Sequence, residues 1–426
     1  MSFHNLLNPG VKRREVFGWA MYDFANSGYT TVVITAVFAA YFVGAVADKA
    51  EWATLAWTSA LSLSYAIVML TMPAMGAWAD RHAAKKKLLI LVTSACVVST
   101  AALSWVGPGQ VTLAIICIVI SNTFYSYGES LTASFLPELA KPEAMGRISG
   151  WGWAWGYLGG MLSLGICLAY VLWAQGQTAG QFVPVTMWIT AGIYALAATL
   201  TLVFLKEHAQ PQLSRERATS QWQQLRQTFQ EAKAYKDFMQ LMACAVAYQG
   251  GVAVAITLAA IYAEQVIGFQ PQETMVLIFV LNIAAFVGAL VFGYAQDKIG
   301  HKLALSLTLV GWSITCIMAA LTSSKEVFWW AAALAGVCMG SSQSTGRAMA
   351  GMLIPANRLA EFFGLWTFAI RLASIVGPLG YGLITWLTDG NQRLAIASTT
   401  LLFVVGWLLL LPVNVQRGQL KASGQT

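Results

Sequence analysis

Apolar runs long enough to cross a bilayer, about 20 residues at 1.5 Å each, recur twelve times along this chain and leave little room for anything else. They fall near 17 to 46, 55 to 79, 88 to 106, 111 to 134, 148 to 174 and 183 to 205, then near 238 to 263, 273 to 296, 302 to 321, 327 to 349, 359 to 387 and 393 to 415. The expected fold is an all-α membrane protein with twelve transmembrane helices. Because the runs are continuous and do not alternate at every second residue, a transmembrane β-barrel is excluded. Composition agrees, with 58% of the 426 residues hydrophobic and 10% charged, against about 25% charged in soluble domains. A soluble enzyme or a nucleic-acid-binding module is thereby excluded.

Of the 25 basic residues, 21 fall in the N-terminus, in every second loop or in the C-terminal tail. They include Lys12, Arg13 and Arg14; Arg81, Lys85, Lys86 and Lys87; Lys141 and Arg147; six between Lys206 and Lys236; Lys298 and Lys302; Arg347 and Arg358; Arg417 and Lys421. Lys and Arg accumulate in cytoplasmic loops, so both termini are expected in the cytoplasm. The net charge of +7 therefore reports topology. Arg371 is left inside a span. The first run is too long for the core of a secretory signal, about 7–15 residues, and its Asp23 and Asn26 suit a retained helix. With no targeting segment and the bases inside, a bacterial inner membrane is the expected location. The six cysteines lie within spans and never at CxxC spacing, which makes them packing residues. The four histidines fall in cytoplasmic segments, so no metal site or cofactor is expected.

The chain also repeats itself. Gly76-Ala77-Trp78-Ala79-Asp80-Arg81, followed by Lys85, recurs 217 residues later as Gly293-Tyr294-Ala295-Gln296-Asp297-Lys298, followed by Lys302. The same shift carries Gly160 onto Gly377, and Pro137 maps within one residue of Pro355. Two parallel six-helix halves are implied, 1–205 and 238–426. Between them, the polar stretch 206–237 places Trp222, Leu225, Phe229 and Ala232 at helical spacing, as in an amphipathic helix on the cytoplasmic membrane face or a simple tether.

Twelve helices, two parallel repeats and a Gly-x-x-x-Asp-basic turn in each half resemble the major facilitator superfamily. Gly76, Asp80, Arg81 and Lys85 match its loop motif, although the second glycine expected before the basic run is replaced in Ala83-Ala84. The resemblance implies that this contact locks one state of a rocking cycle. Glycine lets helix ends approach, and the Asp can pair with a neighbouring Arg or face another helix's N-terminus. A narrower likeness is carried by Tyr22-Asp23-Phe24-Ala25-Asn26, by Phe135-Leu136-Pro137-Glu138-Leu139 with Gly146 to Gly160 after it, and by Phe362-Phe363-Gly364-Leu365-Trp366, Arg371, Gly377 and Pro378. These segments are similar to the vacuole-effluxer-like, autophagy-related permeases, a branch with many bacterial members. Two positions depart from it. Tyr248-Gln249-Gly250 stands where an acid is expected in the seventh span, and Ile370 where a glycine often precedes the base.

A charge at the bilayer centre is unfavourable by about 2.5–3.5 kcal/mol on insertion scales, so it normally faces a cavity or a partner. Three such residues are singled out here. Asp23 shares a face with Asn26, Ser27 and Thr30, and Tyr22 precedes it. It is a candidate for substrate binding, gating or proton handling, or else a cap near the mouth. Glu129 lies on a stripe with Asn122, Ser126 and Ala133, and could instead pair with a loop base such as Arg147. Arg371 could meet a substrate anion or act as counter-charge to Asp23 or Glu129. Trp153, Gln249, Asn282 and Gln343 are further candidates for the substrate or proton pathway. Gly152, Gly156 and Gly160 have the spacing for close helix contact.

The sequence thus reads as a secondary transporter in which two bundles rock about a midplane site. A phosphate loop of the GxxxxGK[ST] kind is absent, so ATP would have to act through another subunit. The family resemblance favours a small organic solute, an amino acid or short peptide ahead of an organic anion, sugar or drug. A channel or a membrane-embedded enzyme is disfavoured by the repeat and the scarce charges. The partners expected are the lipid bilayer, the solute and protons as coupling ion, with the chain acting as a monomer.

Overall fold

The computed structural model describes residues 6–174, 176–211 and 221–424. Helix dominates it, and no β-strand occurs among the described residues. The apolar runs become α1 (Arg13–Tyr29), α2 (Ala53–His82), α3 (Lys85–Ala102), α4 (Val111–Ala133), α5 (Met145–Trp173) and α6 (Ala179–Phe204). A short helix, α7 (Gln221–Ala232), lies in the connector. The second set is α8 (Lys236–Tyr262), α9 (Pro271–Ile299), α10 (His301–Leu321), α11 (Lys325–Leu353), α12 (Leu359–Leu387) and α13 (Gln392–Leu410), closed by α14 (Val415–Ala422).

Among the described residues, 11 helices are long and apolar enough to cross a membrane. The run expected at 327–349 is the exception. Its helix α11 has 29 residues, but Ser341, Ser342, Gln343, Ser344, Thr345 and Arg347 dilute its apolarity. Most of these side chains are fully buried against other helices, so their polarity faces protein instead of lipid. The first run departs from a continuous α-helix in another way. After Tyr29 it widens into π-helical turns at Thr30–Ala36 and Phe42–Val46, where Val37 N donates to Val32 O at 2.8 Å and Ala47 N to Phe42 O at 2.8 Å. Beyond α8, Ala263–Ile267 forms a third π segment.

The basic residues collect at one end of the helices. At the far end, the exposed tryptophans Trp52, Trp105, Trp173, Trp330 and Trp386 lie at or near helix termini, as aromatic anchors do at a membrane interface. Two main sets of buried apolar side chains are drawn mostly from residues 6–205 and from residues 225–413, with Ala348 and Ala360 joining the first and Ala133, Ala154 and Tyr157 the second. These sets meet along two seams, α2 against α12 and α5 against α9. Lipid is as apolar as leucine, so helices gain chiefly from close packing, and glycine supplies the closeness. A Cβ on Gly150 would lie 2.5 Å from Ala289 O, and one on Gly364 2.8 Å from Pro73 Cα.

Hydrogen bonds across the seams concentrate between the basic end and the middle of the molecule. Ser149 Oγ donates to Ser344 O at 2.8 Å, Ser130 Oγ to Phe363 O at 3.2 Å and Gln296 Nε2 to Gly146 O at 3.1 Å. These contacts join the two seams near the basic end.

Candidate functional site: paired charges and two loop contacts

Asp23 sits on the third turn of α1 and meets a base from the second half of the chain. Arg347, counted among the cytoplasmic bases, is buried inside α11, and its Nη1 donates to Asp23 Oδ2 at 2.7 Å. Its other donors reach Ser149 O at 2.9 Å and Ser149 Oγ at 3.2 Å. The guanidinium lies over the rings of Trp19 at 4.7 Å and Trp153 at 5.2 Å. Gly152 makes the space for this pair, since a Cβ there would fall 2.4 Å from Asp23 Oδ2 and 2.6 Å from Arg347 Nη2. Gly156 and Gly160 continue the same face of α5 along Ser27 and Thr31 of the first span. Gly377 packs on Gly250 of α8, and Pro378 follows it inside α12.

A second pair lies across the other seam. Arg371 Nη2 donates to Glu129 Oε2, and its guanidinium sits 5.1 Å from the Tyr65 ring and 5.8 Å from that of Tyr125. Glu129 therefore does not pair with Arg147, whose Nε lies 3.5 Å from Asp297 Oδ2. The Glu129 side chain is 33% exposed and that of Asp23 only 12%, so water or a solute reaches the Glu129 pair more readily. In both pairs the acid comes from residues 1–205 and the base from residues 238–426. Removing one partner of a buried pair costs about 3–5 kcal/mol, because the other charge is left uncompensated. Separating the halves at this level therefore requires something to replace each lost partner.

The remaining polar candidates divide. Asn26 turns away from this centre and accepts from Tyr194 Oη at 2.7 Å, Tyr22 Oη bonds Thr93 Oγ1 at 2.9 Å, and Asn122 Nδ2 donates to Ser64 Oγ at 2.5 Å. All three are buried within the first set of helices, so the face expected to join Asn26 to Asp23 is split. Gln249 Nε2 donates to Gln343 Oε1 at 2.8 Å, which brings α8 and α11 together. Asn282 donates back to Ile278 O of its own helix at 2.9 Å.

The loop-motif acids accept from helix N-termini. Asp80 takes the backbone N–H groups of Ala360 at 3.0 Å and Glu361 at 2.9 Å, opening α12. Asp297 takes those of Gly146 at 3.0 Å and Arg147 at 3.1 Å, opening α5. Two orphan N–H donors and the positive helix end are thus satisfied by one carboxylate each. Gly76 and Gly293 let the helices close to this distance. Lys85, counted as a loop base, is completely buried in the first turn of α3, where its ammonium bonds Glu138 and lies 4.6 Å from the Phe135 ring. Arg81 is half-buried and Lys298 exposed. His301, expected in a cytoplasmic segment, is buried with Nδ1 3.0 Å from Gln296 Oε1.

Beside the Asp80 contact, Glu361 is fully buried. It is bonded by Arg358 Nε at 2.9 Å, by Thr228 Oγ1 at 2.6 Å and by Gln224 Nε2 at 3.2 Å. Burial of Arg358 works against its charge, but the hydrogen bond to Glu361 and the charges of Glu361 and Glu231 together raise the guanidinium pKa. The signal that would have found Arg347 is the repeat itself. The shift carrying Pro137 onto Pro355 also carries Glu129 onto position 347, so one slot is acidic in the first half and basic in the second. Glu138 lay within a recognised motif, whereas no pattern in the sequence links Glu361 to α7.

The family model for vacuole effluxer Atg22-like proteins matches residues 53–423. The chain belongs to this family. It is 28% identical over 404 residues to an uncharacterized MFS-type transporter, YxiO, of Bacillus subtilis (strain 168), covering 92% of this chain and 93% of that one. Against autophagy-related protein 22 of Yarrowia lipolytica it is 25% identical over 341 residues, covering 71% of this chain but only 56% of the longer fungal protein. Among solved structures, the human organic anion transporter MFSD10 superimposes with a TM-score of 0.74 at 14% identity, covering 93% of this chain and 99% of that one. FucP in its outward conformation gives 0.72 at 12% identity, covering 93% and 97%. At such identities the likeness is one of fold, and the fold is that of major facilitator transporters.

Proposed function

We propose that this chain is a secondary active transporter that moves a small organic solute, an amino acid or short peptide by preference, by alternating access between two six-helix halves, 1–205 and 238–426. In this reading twelve helices cross the inner membrane of a bacterium, α11 included. Residues 206–237 and both termini lie in the cytoplasm, a monomer suffices, and protons supply the coupling. The basic end is then the cytoplasmic gate, held closed, and the far mouth faces outward.

The observation that carries the proposal is the segregation of the buried charges. Asp23–Arg347 and Glu129–Arg371 both span the halves, acid on one side and base on the other, so opening the gate must break both pairs. A zwitterion entering from the far end offers an ammonium to Glu129 and a carboxylate to Arg371. A proton on Asp23 neutralises the acid that Arg347 leaves behind. An organic anion would need only the bases, and the paired arrangement favours the zwitterion.

The test uses protein reconstituted in liposomes, after thermal-shift screening of amino acids, short peptides, sugars and organic acids has found a stabilising solute. Asp23→Asn should abolish gradient-driven uptake while sparing counterflow exchange, and unchanged driven uptake removes the proton role. Arg371→Ala should weaken a carboxylate-bearing solute by about 100-fold, the scale of a lost charge-assisted contact. Stabilisation by sugars alone would sink the zwitterion assignment.

A further inference from the structure

The connector was expected to place Trp222, Leu225, Phe229 and Ala232 on one face. In α7 the buried face is instead formed by Leu225, Thr228 and Ala232, with Phe229 at its edge in edge-on contact with Phe368 of α12, ring centroids 5.3 Å apart. This face lies across the basic ends of α2 and α12, the seam that the Asp80 contact closes. Thr228 and Gln224 bond Glu361, whose own backbone N–H is one of the two held by Asp80, and Glu231 pairs with Arg358 at 2.6 Å. The helix thus grips both sides of one gate.

The edge beside Phe229 is unlike that of a plain tether. Trp222 is 70% exposed, and Arg226 and Lys233 are exposed as well. At 100° per residue they fall within about 40° of one another. One indole and two cations in a single stripe, carried at the mouth of two spanning helices, match the headgroup layer in position and an anionic headgroup in charge.

We propose that this stripe binds anionic phospholipid headgroups and that lipid bound there holds α7 on the α2–α12 seam, so that membrane surface charge biases the gate toward closure. The proposal rests on the alternating-access reading above. It assigns the connector a sensing role which that reading does not require.

The experiment uses the full chain carrying Lys87→Cys and Ile299→Cys, exposed positions on opposite halves at the basic end, spin-labelled for double electron–electron resonance. Vesicles of phosphatidylcholine alone are compared with vesicles containing phosphatidylglycerol. The gate-open, long-distance population should fall about threefold with phosphatidylglycerol, and R226Q/K233Q should remove that dependence. Equal populations in the two lipids, or a dependence that survives R226Q/K233Q, overturns the lipid latch. Asp80→Asn separates the two failures, since it should enlarge the open population in either lipid. If Asp80→Asn changes nothing, the gate reading itself fails and the latch falls with it.

Discussion

The two loop contacts are the same device built twice, and their surroundings differ. Asp80 holds the N-terminus of α12 and Asp297 that of α5, each through two backbone N–H groups at 2.9–3.1 Å. At Asp80 the turn is braced by the buried Lys85 and Glu138, and α7 covers the seam. At Asp297 the neighbours are Arg147 and His301, and Gln296, donating to Gly146 O at 3.1 Å, stands where α7 does on the other side. The two copies also end their helices differently. After α9 the left-handed residue is Gly300 at φ +94°, whereas after α2 it is Ala83 at φ +45°, the position where the family's glycine is missing. The duplication preserved the carboxylate and its target while the bracing diverged.

The sharpest way to break this comparison is through the glycines. A Cβ at Gly76 would stand 2.3 Å from Ala360 O, whereas one at Gly293 would first meet Gly150 Cα at 3.1 Å. Gly76→Ala should therefore raise the gate-open population more than tenfold, and Gly293→Ala only a few-fold, as overpacking costs of about 1–3 kcal/mol imply. Equal effects in the resonance measurement would mean that the seams are mechanically alike. Next in size, Asp80→Asn and Asp297→Asn each weaken two bonds to a charged acceptor and should shift the population about tenfold. Their double variant should add in free energy if the seams act independently. A smaller effect, about threefold, is expected of Thr228→Val, which removes one hydrogen bond to Glu361 and should be silent once Asp80 is already Asn. The smallest is Ala83→Gly, which relieves a left-handed alanine. It should raise the melting temperature of the purified protein by about 1–2 °C, where Gly300→Ala lowers it.

Most of the fold was legible because the bilayer demands long apolar runs; the run at 327–349 does form a helix, but its serines leave it less apolar than the 11 others that could cross a membrane. Asp23, Glu129 and Arg371 could be read from their cost in lipid. Arg347 could not be read that way. It falls two residues before the end of its expected run and so counted with the cytoplasmic bases, and only contact with Asp23 and Ser149 reveals it as interior. Asn26 shows the reverse error, for helical spacing put it beside Asp23 while a tyrosine on α6 claims its side chain. Spacing along one helix fixes which residues share a face. It does not say which neighbouring helix that face will meet.

The wide turns in the first span and after α8 have a consequence of their own. Thr30–Ala36 and Phe42–Val46 lie toward the mouth opposite the gate, and Ala263–Ile267 follows the helix that begins the second repeat. Each π turn carries one residue more than an ordinary turn, and giving that residue up rotates everything beyond it by about 100°. The helices that open each half thus keep spare thread at their outer ends.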